Sequence, residues 1–101
     1  MLERADILNH AKSAVDGTTR SLSEMHARLQ ATALNRQHRL AAEEAMHDLA
    51  RRHGMLVRLY EDMIDVPASE LPAHWKRFFV YYDAYLEAVR DTRCRLVREI
   101  E

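Results

Sequence analysis

Two glutamates and a histidine near the middle of the chain have the spacing of metal ligands on a helix. Glu44 and His47 form a Glu-x-x-His pair, and Glu43 stands four residues before the same histidine. Both spacings place ligands on one helical face, and di-iron carboxylate bundles use Glu-x-x-His in this way. The apolar stripe of this segment points elsewhere, because His47 falls about 120° from its centre and Glu44 nearly opposite it. A metal site in the core is therefore disfavoured, whereas a site shared across a subunit interface stays open.

A second candidate is His53, which lies on the apolar stripe between Ala50 and Leu56 and precedes Gly54. The simpler interpretation is a core histidine that is hydrogen-bonded to a neighbouring helix. The alternative is a pH-sensitive core residue, since a histidine that gains charge between about pH 5 and 7 would loosen the bundle or an interface. The sequence favours the first interpretation and leaves the second open.

Other kinds of catalytic site find little support. Cys94 is the only cysteine, so neither an intrachain disulfide nor a zinc finger of the usual thiolate type can form. Arg93 and Arg95 flank it, but no histidine is identifiable as its general base. The two glycines, Gly17 and Gly54, lie too far apart for a phosphate-binding loop. We expect a non-enzymatic protein without a cofactor.

The composition is that of a folded, helix-rich domain. The chain has 101 residues, of which 48% are hydrophobic and 31% charged, and its net charge is only −1. Such a balance gives no broad field toward nucleic acid or anionic membranes. We expect one domain over residues 1–101 and a cytoplasmic location, because no apolar run resembles a signal peptide or a membrane span. Arginine supplies 13 of the 15 basic residues, which is typical of a GC-rich bacterial genome.

Helix formers fill nearly everything between two glycines and two prolines, so the sequence predicts an all-α fold. We predict an antiparallel three-helix bundle with long helices at about 2–34, 40–65 and 72–100. The polar run 35–39 is interpreted as the first turn, and the segment between Pro67 and Pro72 as the second. One alternative is a single long helix from Ser21 to Asp65. The first helix is expected to continue through Gly17, with or without a kink, rather than to end there and restart at Ser21.

Each predicted helix carries an apolar stripe at alternating steps of three and four residues. In the first helix the stripe comprises Leu8, Ala11, Val15, Thr18, Leu22, Met25, Leu29 and Thr32. In the second it comprises Met46, Leu49, Ala50, His53, Leu56, Val57, Tyr60, Met63 and Ile64. In the last it comprises Trp75, Phe78, Phe79, Tyr82, Leu86, Val89, Leu96, Val97 and Ile100.

Six of the seven aromatic residues fall between Trp75 and Tyr85. On a helix they spread over too wide an arc for one core-facing stripe, so some should be exposed unless a partner covers them. With the stripe centred near Tyr82, we expect Trp75, Phe79 and Tyr82 in the core. The flank of Phe78, Tyr81 and Tyr85 is then the predicted partner-binding surface, because aromatics are enriched at interface hot spots.

Two arginines interrupt the stripes. Arg36 continues the stripe of the first helix, and Arg93 falls between Val89 and Leu96 on the last. A buried charge must be paired, so each either reaches a carboxylate or lies where the stripe opens to water. We consider both for a role in register or partner choice, beside the simpler alternative of side chains that extend to solvent.

Together these features predict a non-enzymatic protein–protein interaction module, acting as a homodimer or within a heteromeric helical assembly. Adaptor, small chaperone and secretion-accessory roles fit by analogy with other helical modules. One alternative is a ferritin-like oxidase that binds iron or zinc through Glu43, Glu44 and His47 between subunits. A second is a nucleic-acid-binding regulator, which is disfavoured because acidic residues interleave the basic groups.

Overall fold

The structure is a computed structural model that describes residues 3–100, and the side chains of residues 3–95. The described chain forms three helices, α1 (Arg4–Ala31), α2 (Arg36–Asp65) and α3 (Leu71–Ile100), and contains no strand. The start of α1 lies beside the end of α2, because Arg4 donates hydrogen bonds to the carbonyl oxygens of Ile64 and Val66. The rings of His10 and Trp75 lie 6.5 Å apart, so α1 and α3 run parallel and α2 runs antiparallel to both. The predicted three-helix bundle is confirmed.

The first turn lies earlier than predicted. Residues 32–35 form it, and the polar run 35–39 is the start of α2 rather than the connection. The reason is a cap: the side chain of Asn35 accepts a hydrogen bond from the backbone nitrogen of His38 at 2.8 Å. Asparagine is among the best N-cap residues, so it sets the beginning of the helix. Arg39 closes the turn by donating to the carbonyl oxygen of Thr32 at 3.1 Å.

The remaining helix boundaries agree with the sequence. α2 ends at Asp65 and α3 begins at Leu71, on either side of the predicted proline-marked turn. α1 is continuous through Gly17, so no helix restarts at Ser21. Within the described residues, no helix is both long and apolar enough to cross a membrane.

The core follows a strict repeat on every helix. Buried side chains on α1 are Ile7, Ala11, Thr18, Met25 and Leu29, and on α2 they are Ala42, Met46, Leu49, Leu56, Leu59 and Met63. On the described part of α3 they are Leu71, Phe78, Tyr85, Val89 and Thr92. The predicted stripe of α1 is confirmed, whereas Ala50 and Ile64 of the α2 stripe are exposed. The predicted core positions Leu96, Val97 and Ile100 lie outside the described side chains.

The buried face of α3 is rotated around the helix axis relative to the predicted stripe, so this prediction is wrong. Its centre passes through Leu71, Phe78, Tyr85 and Thr92, about 40° around the helix from Tyr82. Phe79 and Leu86, expected in the core, are therefore exposed. Because apolar side chains occupy nearly every position between Trp75 and Leu86, hydrophobicity alone does not select the buried face.

The bundle is elongated, and one side of it is open. Its principal extents are 52 × 19 × 18 Å, and its radius of gyration of 16.1 Å exceeds the roughly 13 Å of a compact domain of this length. α2 packs along both other helices, whereas α1 and α3 contact each other far less. Among residues 3–100, no helix covers the long face between α1 and α3.

Candidate functional site

The open face contains a groove lined by aromatic side chains. It has a volume of about 430 Å³, with His10, Ser13 and Ala14 on α1 and Trp75, Phe78, Phe79 and Tyr82 on α3. We call it the aromatic groove. Its walls are faces of α1 and α3, and buried Phe78 lies at its floor.

The aromatic rings of α3 support one another through their helical spacing. Phe78 stacks on Trp75 and on Tyr82, with ring centroids 5.8 and 6.1 Å apart and planes within 11° and 10° of parallel. Phe79 meets Trp75 and Tyr82 edge-on, at 5.8 and 6.3 Å. Offset-stacked and edge-to-face pairs are the favoured aromatic geometries. Phe79 is thus held in place although 48% of it is exposed to solvent.

The opposite wall, on α1, combines the imidazole ring of His10 with the small side chains of Ser13 and Ala14. Ala14, Gly17 and Ser21 follow one another at helical spacing beside α3, and an added Cβ at Gly17 would meet no atom within 4 Å. Leu86, which is 39% exposed, continues the apolar wall of α3 two turns beyond Phe79. The open face therefore extends past the aromatic groove along α3.

The predicted partner-binding aromatics are placed differently from the expectation. Phe78 and Tyr85 are 0% and 1% exposed, so they belong to the core and not to an exposed flank. Tyr81 is exposed, but it lies about 200° around the helix from Phe79 and does not line the groove. Phe79 and Leu86 are the exposed apolar residues on this side of α3. The repeat Leu71, Phe78, Tyr85, Thr92 was the sequence signal that would have revealed them.

The two arginines have different environments. Arg36 is the first residue of α2 and is exposed, so it does not continue the stripe of α1. The guanidinium Nη2 of Arg93 donates to the hydroxyl oxygen of Ser21 at 3.2 Å and links α3 to α1 while remaining exposed. Because Arg93 is exposed, it lies where the stripe opens to water, which is one of the two positions that the sequence allows for it.

A polar layer crosses the middle of the bundle. The Nε2 atom of half-buried His53 lies 3.0 Å from the Oγ1 atom of Thr19, and its ring centroid is 6.0 Å from that of Tyr85. The predicted hydrogen bond between His53 and a neighbouring helix is confirmed, and the pH sensitivity of His53 stays a prediction. Burial raises the pKa of Tyr85, and the positive charge of Arg93 partly opposes this. Polar groups in a helical core restrict the register in which helices pack.

The predicted metal ligands are only partly brought together. Glu43 and His47 line a second groove of about 550 Å³ between α1 and α2, together with His26 of α1. Glu44 is exposed outside this groove. Among residues 3–95, no three histidine, cysteine or acidic side chains are grouped so that they could hold a metal ion. The structure thus brings Glu43 and His47 to one groove and leaves Glu44 outside it.

Charged side chains on the outer face of α2 form ion pairs with their neighbours on the same helix. Asp48 pairs with Arg51 and with Arg52, whose Nε atom lies 2.9 Å from the carboxylate. Hydrogen bonds from Arg52 and then Arg51 hold the pKa of Asp48 below its usual value. One carboxylate thus serves both arginines and offsets one of their two positive charges, in the i, i+3 and i, i+4 pairing expected of interleaved charges.

Comparisons of the chain with protein-family models, with curated proteins and with solved structures found no match.

Proposed function

We propose that the protein is a non-enzymatic helical interaction module that binds another helix along the open face between α1 and α3. The observation that carries this proposal is Phe79, held half exposed by Trp75 and Tyr82 beside a groove that no element of the described chain covers. Rigid aromatic side chains bury a large area at little entropic cost, and for this reason they are enriched at interface hot spots. The partner is a second copy of the chain or another helical protein.

The shape of the open face favours a helix as the occupant. Its walls are two parallel helices, and the small residues Ala14 and Gly17 let a third backbone approach closely. Side chains of a docked helix, spaced at three and four residues, fit between such ridges. The added helix would complete a four-helix arrangement.

The energetics require more contact than the aromatic groove alone offers. Burying the exposed parts of Phe79 and Leu86 contributes about 1 kcal/mol each, whereas a micromolar complex needs roughly 8 kcal/mol. The interface must therefore extend along the length of α3. We expect an affinity in the micromolar range, typical of a regulated or exchangeable assembly.

Site-specific photo-crosslinking in cells tests the proposal. A benzoylphenylalanine placed at position 79 is expected to cross-link to a protein, and the mass of the product distinguishes a second copy from another chain. The matched control is position 80, because Val80 is 63% exposed on the same helix but points away from the groove. Equal labelling from both positions, or none from position 79, would overturn the proposal.

A helix-binding module of this kind fits adaptor, small chaperone or secretion-accessory roles, and we place it in the cytoplasm.

The two competing functions predict different results on purification of the protein. Iron or zinc that copurifies with the protein and is lost in His47→Ala would support a metal-dependent oxidase shared between subunits. Retention on heparin with a steep salt dependence would support a nucleic-acid-binding regulator.

A further inference from the structure

Four exposed side chains form a strip on the outer side of α3. Phe79, Asp83, Leu86 and Arg90 lie within an arc of about 60° and span three turns of the helix. We call them the α3 strip. It borders the open face, so a helix that docks there lies against it.

The two charges of the strip do not pair within the described chain. Asp83 and Arg90 are seven residues apart, about 10 Å along the axis, and helical ion pairs need a spacing of three or four. The ion pairs formed among residues 3–95 join Asp48 to Arg51 and Arg52. Asp83 and Arg90 thus present opposite charges to whatever packs on the strip, with Leu86 between them.

The strip has an acidic residue toward one end and a basic residue toward the other, so two copies that run antiparallel match in charge. When a second α3 lies antiparallel, Asp83 faces Arg90 of the partner subunit, and Arg90 faces Asp83 of the partner subunit. A two-fold axis makes both contacts at once and brings the two Leu86 side chains together. A parallel arrangement would instead place like charges together, so the charges select the antiparallel orientation.

The register also fits the length of the helix. The midpoint between Asp83 and Arg90 falls between residues 86 and 87, and the midpoint of Leu71–Ile100 falls between residues 85 and 86. Two α3 helices aligned by their charges therefore overlap almost completely. This supplies the extended contact that the aromatic groove alone does not provide.

We infer that the occupant of the open face is a second copy of this chain, docked through an antiparallel α3–α3 contact with two reciprocal Asp83–Arg90 ion pairs around Leu86. The inference rests on the proposed function and names its partner. If the partner is another helical protein, this inference is wrong and the proposed function stands.

Charge reversal tests the inference in sedimentation equilibrium at low salt. Asp83→Arg and Arg90→Asp each place like charges opposite one another twice, so each is expected to raise the dimer Kd on the order of tenfold. The double variant, Asp83→Arg with Arg90→Asp, is expected to return the Kd to within about threefold of the unmodified chain. Asp91→Arg is the matched control, because Asp91 is exposed on the same helix outside the strip. A dimer that is indifferent to the single reversals would overturn the inference.

A cross-link tests the same geometry without depending on charge. With Cys94→Ser as the background, Leu86→Cys is expected to form an interchain disulfide on copper-phenanthroline oxidation, and Val80→Cys is not. A chain that stays monomeric at all concentrations and forms no such cross-link contradicts the antiparallel dimer. If position 79 then cross-links to a different protein in cells, the proposed function survives, and if it cross-links to nothing, both fail.

Discussion

At the scale of single residues, the hydroxyl group of Tyr85 stands out as a buried polar group without a hydrogen bond in the described part of the chain. Its oxygen is buried, and no hydrogen-bond partner for it lies among the described residues. An unsatisfied buried hydroxyl costs about 1–3 kcal/mol, whereas its replacement by an apolar group of the same shape does not. We therefore expect Tyr85→Phe to raise the free energy of unfolding by about 1 kcal/mol in urea denaturation at pH 7. Tyr81→Phe, at an exposed site, is the control and should change little.

The same residue predicts a pH dependence. Burial raises the pKa of Tyr85 above its ordinary value of 10.0, so the unfolded chain ionises this group first as the pH rises. The stability that depends on the neutral hydroxyl is fully present below about pH 10 and is lost as the pH rises through the folded-state pKa. The advantage of Tyr85→Phe should therefore grow above pH 10. An advantage that stays constant between pH 7 and 11 would contradict the burial of this hydroxyl.

At the scale of helices, α1 and α2 each contain one exposed glycine. Gly17 and Gly54 have helical conformations, and a Cβ at either would meet no atom within 4 Å. Alanine is favoured over glycine inside a helix by about 1 kcal/mol. Gly17→Ala and Gly54→Ala are thus expected to stabilise the protein by similar amounts in thermal and urea denaturation.

The pair of variants also probes the open face. Gly17 lies on the α1 wall of this face and Gly54 lies on α2, so each serves as the control for the other. A loss of association in Gly17→Ala alone would show that the docked helix reaches the backbone of α1. If either variant is less stable than the unmodified protein, the continuous course of that helix is contradicted.

The number, order and pairing of the helices could be predicted from the sequence, because scarce glycine and proline and regular apolar spacing suffice for them. The position of the first turn could not, since the polar run 35–39 outweighed the capping preference of Asn35. The prediction of which face of α3 is buried was wrong for a related reason. Its aromatic segment is apolar on nearly every side, and the choice of Phe78 over Phe79 for the core depends on packing against α1 and α2.

At the scale of the whole molecule, the elongated shape gives a prediction for assembly. One chain measures 52 Å along its longest axis. Two chains that pair side by side along α3 should keep the longest dimension near that of one chain while the mass doubles. Small-angle X-ray scattering at concentrations above and below the Kd measures both quantities. A longest dimension that nearly doubles would indicate end-to-end association and contradict the lateral contact.

The up-down-up course of the chain has an electrostatic consequence. α1 and α3 run in the same direction, so their helix dipoles lie parallel and side by side along the open face, and only α2 opposes them. A helix that enters this face antiparallel to both places its positive end beside their negative ends, whereas a parallel helix would add a third like-oriented dipole. The backbone itself, before any side chain is considered, thus favours one direction for the chain that binds there.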